Sequence, residues 1–223
     1  MAARLRVLAK VRSFSARGTL AAMGLDITVL IANRSWLEQV PPQKRVERLR
    51  DAWYDDETGL WDETPRPEDG WAWPQGPDGA FFAAYEFRHT LGSFKPHFWA
   101  GHRWERVRDH VDLPLRTELD TFLLGLIWDG LDGEPEHLGA DFFGEASYGV
   151  LLALSPENVR ELAATWDRVL PHLHRLQGPF AEHAAVSDGW ISDFDAFADL
   201  LTQWGDVLTE AARRAWCVVG VSE

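Results

Sequence analysis

Two short apolar runs set the terms on which this chain can fold. LDITVLIA (25–32) and CVVGV (217–221) are rich in β-branched residues, nearly continuous in apolar character, and lie far apart in the sequence. Runs of this length and composition read as buried strands. AFFAAYEF (80–87) and YGVLLAL (148–154) have the same character. The closing run is expected to return to the sheet that the first one opens, which ties the ends of the body into one unit.

Segments with helical periodicity separate these runs. PPQKRVERLRDAWY (41–54) opens on proline and sets Val46, Leu49 and Trp53 on one face. RWERVRDHV (103–111) and LRTELDTFLLGLIWDGL (115–131) are two helical stretches divided by Pro114. The second aligns Leu115, Leu119, Phe122, Leu126 and Ile127 as a core-facing stripe. In the SPE of 155–157, Ser155 is a helix cap and Pro156 occupies the first helical position, ahead of Val159, Leu162, Trp166 and Val169. A last long helix is expected from about Asp193, with Phe194, Phe197, Leu201, Trp204 and Leu208 at helical spacing. Strands and helices are intermixed, with no internal repeat and no convincing linker. The expected fold is a single α+β domain over 23–223, a small mixed sheet covered by helices. The stretch DDETGLWDETPRPEDGWAWPQGPDG (55–79) carries too many turn-formers for a regular element and is expected to be a long acidic, tryptophan-rich loop.

LSPENVRELAATWDRV (154–169) and FADLLTQWGDVLTEAARRAWCVVGVS (197–222) resemble the C-terminal half of the YfbM-like family of bacterial proteins. The shared features are a serine-proline-glutamate helix start, an aromatic-rich stripe, an alanine pair and a closing apolar strand. The opening MGLDI at Met23 is also similar to the starts of hypothetical proteins from high-GC actinobacteria. The resemblance implies an α+β fold, supplies no catalytic residues, and has no counterpart for 53–104.

Charge and cysteine usage exclude some functions. The net charge is −13, and residues 1–22 hold five basic residues and no acid, so the remainder is more acidic still. Such a body repels phosphate backbones, and nucleic-acid binding is not expected. The basic leader has no continuous apolar core, as a secretory signal would. It is expected to be an upstream extension ahead of a start at Met23, or a disordered tail. No apolar run approaches the roughly 18 residues of a membrane span. The single cysteine, Cys217, rules out an internal disulfide framework and fits a cytoplasmic setting.

Chemistry-bearing residues concentrate in YEFRHTLGSFKPHFWAGHRW (85–104). If 82–88 runs extended, Glu86 and Arg88 share a face, as polar anchors or as a plain ion pair, while Phe81, Ala83, Tyr85, Phe87 and His89 face the core. Glu86, Arg88, His89, His97 and His102 are the candidate acid–base set, with arginine holding an anionic substrate and a histidine moving the proton. The intervals between the histidines match no helical metal motif, so no metal site is expected. GEASYG (144–149) lacks the first glycine of a nucleophile elbow, and its strand follows Ser147 instead of preceding it. With no Walker A loop and no GxGxxG, no cofactor is expected. Trp61, Trp71, Trp73 and Trp99, with Lys95, are the candidate binding residues, because tryptophan anchors interfaces. Two functions are therefore weighed. One is a cytosolic binding protein, regulatory or immunity-like, that recognises a protein or small ligand through the acidic, tryptophan-bearing loop and the 86–104 region. The other is an enzyme acting on a small anionic substrate.

Overall fold

The apolar run at 25–32 forms β1 (Ile27–Ala32), and the closing run forms β5 (Cys217–Ser222), which pairs with it along its full length from Ile27↔Ser222 to Ala32↔Cys217. The computed structural model describes residues 26–54, 69–74, 78, 80–128, 138, 141–144 and 149–222. The leader, most of the acidic loop with Trp61, Ser147, and the side chains of Trp53 and Ile127 lie outside the described residues.

Three further strands complete the sheet: β2 (Trp71–Ala72), β3 (Phe82–Tyr85) and β4 (Val150–Leu154), in the order β2-β3-β1-β5-β4. The α+β architecture is as expected. Every pairing is antiparallel, where a mixed sheet was expected. The loop reading of 55–79 also needs amendment, since Trp71 and Ala72 pair with Tyr85 and Ala84.

Near-continuous apolar character in the strands has a plain cause: both faces of the sheet are covered. On one side Leu30, Phe82, Ala84 and Val219 pack under α1 (Arg34–Leu37), α2 (Arg45–Tyr54) and the Phe142–Phe143 pair. On the other, Val29, Ile31, Ala83, Tyr85 and Val218 meet a thicker helical layer. That layer contains α3 (Lys95–Val107), α4 (Leu113–Leu123), α5 (Pro156–Val169), α6 (Gln177–His183) and α7 (Phe194–Arg214). The β3 face that carries Phe82 and Ala84 is buried as well, inside the thinner layer.

The helix starts follow their local signals. Ser155 Oγ accepts from the Asn158 amide at 3.2 Å at the head of α5, and Asp193 Oδ1 accepts from the Ala196 amide at 2.9 Å at the head of α7. These contacts satisfy backbone donors that the first helical turn leaves open. Helix α7 lies close on α5 because position 205 is glycine. A β-carbon there would sit 2.0 Å from Trp166 Nε1. Buried indoles need acceptors, and these are supplied: Trp104 donates to Asp120 at 2.8 Å and Trp204 to His97 at 3.1 Å.

Candidate functional site

Strand β3 stops at Tyr85, and the reason lies in where the next amides go. The last β1–β3 partners are Val29 and Tyr85. Beyond them the Glu86 amide donates to Gly70 O at 2.8 Å, and the Arg88 amide to the Gln203 side-chain oxygen at 2.6 Å. On β1 the Ile27 amide donates to Gly92 O at 2.8 Å instead of continuing the ladder with β3. The two strands part here, and the chain from 88 to 92 folds into a tight turn. His89 (φ 62°) and Leu91 (φ 53°) take left-handed backbone conformations that cost side-chain-bearing residues about 1–2 kcal/mol each. Thr90 stabilises the turn: its hydroxyl donates to Phe87 O at 3.0 Å and accepts from the Gly92 amide at 3.3 Å.

A cavity of about 240 Å³ occupies the place where the strands part. Ile27 and Thr28 contribute from β1, Tyr85 to Phe87 from the chain leaving β3, and Thr90 to Gly92 from the turn. His97, in the first turn of α3, completes the wall.

His97 is 1% exposed. Its ring stacks on Phe94 and meets the edges of Phe87 and Trp204, with centroids 4.9 to 5.7 Å away. Burial pushes its pKa down to about 3, so the ring is neutral at ordinary pH. The indole N–H of Trp204 points at Nδ1, which must therefore be the unprotonated nitrogen. The proton is on Nε2, and that atom has no hydrogen-bond partner among the described residues. Tyr85 Oη is also buried, with no hydrogen-bond partner among the described residues, and burial pushes its pKa up to about 12.

No protein-family model, curated protein or solved structure matches this chain. The site must be read from its own residues.

Of the five acid–base candidates, only Glu86 and His97 line the cavity. Glu86 and Arg88 were expected to project together from an extended 82–88; the strand ends at Tyr85, before either, and of the two only Glu86 lines the cavity. Arg88 turns away to pair with Asp199 on α7 at 3.0 Å, and Gln203, fully buried, donates to the other oxygen of the same carboxylate at 2.8 Å. His89 is exposed in the turn and not in the core, and Phe81, also expected inside, is 53% exposed. His102 lies further along α3 against Phe98 and Trp99. Burial, with Arg106 and Arg103, lowers its pKa, so its 3.7 Å approach to Glu105 is not a charged pair near neutrality.

The described tryptophans are used in packing. Trp71, expected in the acidic loop as a binding residue, is buried in β2 against Trp73 and the edge of Tyr85. Trp73 is half-buried under the Arg214 guanidinium at 4.3 Å. Trp99 is half-buried, with Arg103 5.2 Å from its ring centre. Lys95 opens α3, where its amide donates to Ser93 Oγ at 3.2 Å. Among the described residues no three His, Cys, Asp or Glu side chains come together as a metal cluster. Sequence reasoning missed Ile27, Thr28 and Thr90 as wall residues, and Trp204 as the group that sets the His97 tautomer.

Proposed function

We propose that this chain is a small-ligand binding protein and that the cavity beside Glu86 and His97 is its site. The observation that carries the reading is the state of His97. A general base needs a free lone pair at neutral pH, and a general acid needs a pKa near it. His97 has neither: Trp204 occupies Nδ1, Nε2 carries the proton, and burial holds the pKa near 3. The enzyme reading also loses its expected substrate anchor, because Arg88 does not line the cavity and pairs with Asp199 instead.

The cavity also has the makeup of a ligand site, with apolar walls and a few polar groups at defined positions. The regulatory role and cytoplasmic location expected from the single cysteine and the acidic charge fit such a protein and belong to the same proposal. No described helix is long and apolar enough to cross a membrane. The test is an NMR screen of small neutral fragments against labelled protein. Shifts confined to Ile27, Thr90, Leu91 and His97 support the reading. Hits that all map elsewhere, or no hits at millimolar fragment, defeat it.

A further inference from the structure

Arg103, in the middle of α3, is 5% exposed, and no other arginine, lysine or carboxylate among the described residues is buried. Its Nε donates to Ile191 O at 3.0 Å, and its guanidinium carbon stands 5.2 Å from the centre of the Trp99 ring. Neither amino nitrogen donates to a described residue. Both stay open to solvent, since the described side-chain atoms that are enclosed without a partner are Arg48 Nε, Tyr85 Oη and His97 Nε2. Burial, and then Arg106, lower the Arg103 pKa, but a guanidinium remains protonated. Elsewhere this acidic chain answers its arginines: Arg88, Arg108, Arg116 and Arg168 pair with Asp199, Asp120, Asp109 and Glu118. Arg103 has no such partner, and a charge taken from water without one is strongly disfavoured.

The surroundings repeat the pattern. At about 100° per residue, Lys95, Trp99, Arg103 and Arg106 fall in one sector of α3, with His97 on the opposite side of the helix. Arg106 is exposed and pairs with no carboxylate among the described residues, while Glu105 approaches His102. Asp188, in the loop that covers Arg103, is exposed and bonded to neither arginine. That loop is closed by the Val186 amide donating to Ser192 O at 2.9 Å, which fixes the carbonyl that holds Arg103 Nε. The guanidinium is thus pinned by one edge and presents the edge that carries its two amino nitrogens.

We propose that this face of α3 binds a small organic phosphate, with the amino edge of Arg103 as its anchor and Arg106 as the second cation. The site is separate from the cavity beside Glu86, and the proposal stands without it. Paired guanidinium donors match two oxygens of one phosphate. Two cations without counter-charge match a phosphate monoester, which carries about −1.5 to −2 at neutral pH, better than a monocarboxylate. The half-buried Trp99 ring offers an apolar wall to the organic part. The ligand is small because a chain of net charge −13 repels a polyanion.

The probes are phenyl phosphate, inorganic phosphate and benzoate, titrated by NMR at constant ionic strength into the wild-type protein, Arg103→Lys and Arg106→Gln. Phenyl phosphate is expected to move the Arg103 Nε–H and Trp99 indole resonances saturably, and to bind more tightly than either other probe. Arg103→Lys keeps the charge but loses the paired donors, so phenyl phosphate binds it about ten- to a hundredfold more weakly. Arg106→Gln changes an exposed side chain and weakens binding about two- to fivefold. Should Arg103→Lys fail to fold, Arg106→Gln and the wild-type resonances still decide. The proposal is overturned if the Arg103 and Trp99 resonances stay fixed, or if affinity is equal in every variant that folds. Benzoate binding as tightly as phenyl phosphate overturns the choice of phosphate, and equal affinity for the two phosphates removes Trp99 from the site. Shifts confined to Ile27, Thr90 and Leu91 would put the probe in the cavity and defeat this site while leaving the binding reading above intact.

Discussion

The buried neutral histidine makes acid sensitivity a quantitative prediction. In the folded protein His97 titrates near 3, whereas an unfolded chain carries an ordinary histidine near 6.5. Between those values the unfolded state binds the proton and the folded state does not. Stability is therefore fully present above about pH 6.5 and is lost as the pH falls toward 3, at about 1.4 kcal/mol per pH unit. From pH 6.5 to 4.5 the loss from this residue is about 2.3 kcal/mol, a large share of the 5–15 kcal/mol typical of a domain. Other groups titrate in the same range. Asp206 and Glu105 are raised by burial, while Asp193 and Glu210 are lowered by hydrogen bonds to their neighbours. A reference variant removes their common contribution. His97→Gln keeps an acceptor for Trp204 and does not titrate. Urea unfolding of both proteins at half-unit steps from pH 7 to 4.5 gives their stability difference at each pH. That difference is expected to shift against the wild type by about 2.5 kcal/mol across the series. A difference that stays flat would mean that His97 accepts a proton in the folded protein, and the neutral state argued for it would be refuted.

Gly205→Ala places a β-carbon in the Trp166 indole, and overpacking of this kind costs about 1–3 kcal/mol, readable as a lowered thermal midpoint. Ser155→Ala removes the cap of α5 and is expected to cost about 1 kcal/mol in urea unfolding, with little effect from Ser155→Asp. Arg88→Ala breaks an exposed pair and costs under about 1 kcal/mol. Gln203→Ala costs more, about 1–3 kcal/mol, because it leaves the Arg88 amide without its acceptor in a part-buried setting. Cys217 is buried with its thiol pushed up to about 12, so thiol reagents modify it only as fast as the protein unfolds. Rapid labelling under native conditions would contradict that burial.

What could be read from the sequence was whatever local chemistry decides. Ser155–Pro156 and Asp193 announce their helices because a cap is a contact three residues long. The four strand runs announce themselves because a β-branched stretch covered on both sides has no other use. The alternation of β3 was legible too, but its end was not. Tyr85 is the last strand residue because Gly70 and Gln203 take the following amides, and Gln203 is 115 residues away from the arginine it receives. Sequence spacing put Glu86 and Arg88 on one strand face, and distant partners end the strand before either. The histidines were legible as a group, but which one mattered depended on Trp204, 107 positions from His97 and outwardly one more member of a helical apolar stripe. Trp71 was misread for a similar reason. Its neighbours are turn-formers, and only pairing with β3 makes the residue internal.

The position of β5 also bears on how the molecule is made. It is the latest of the described strands, yet it lies between β1 and β4 and pairs with both, and β4 has no other ladder among the described residues. A nascent chain on the ribosome thus holds two greasy strands apart until the residues from Cys217 onward emerge. Any product that stops short of them would expose two adhesive edges at once, a hazard for self-association. Synthesis of this protein is therefore safest where translation through Cys217–Ser222 is quick or a chaperone stands by.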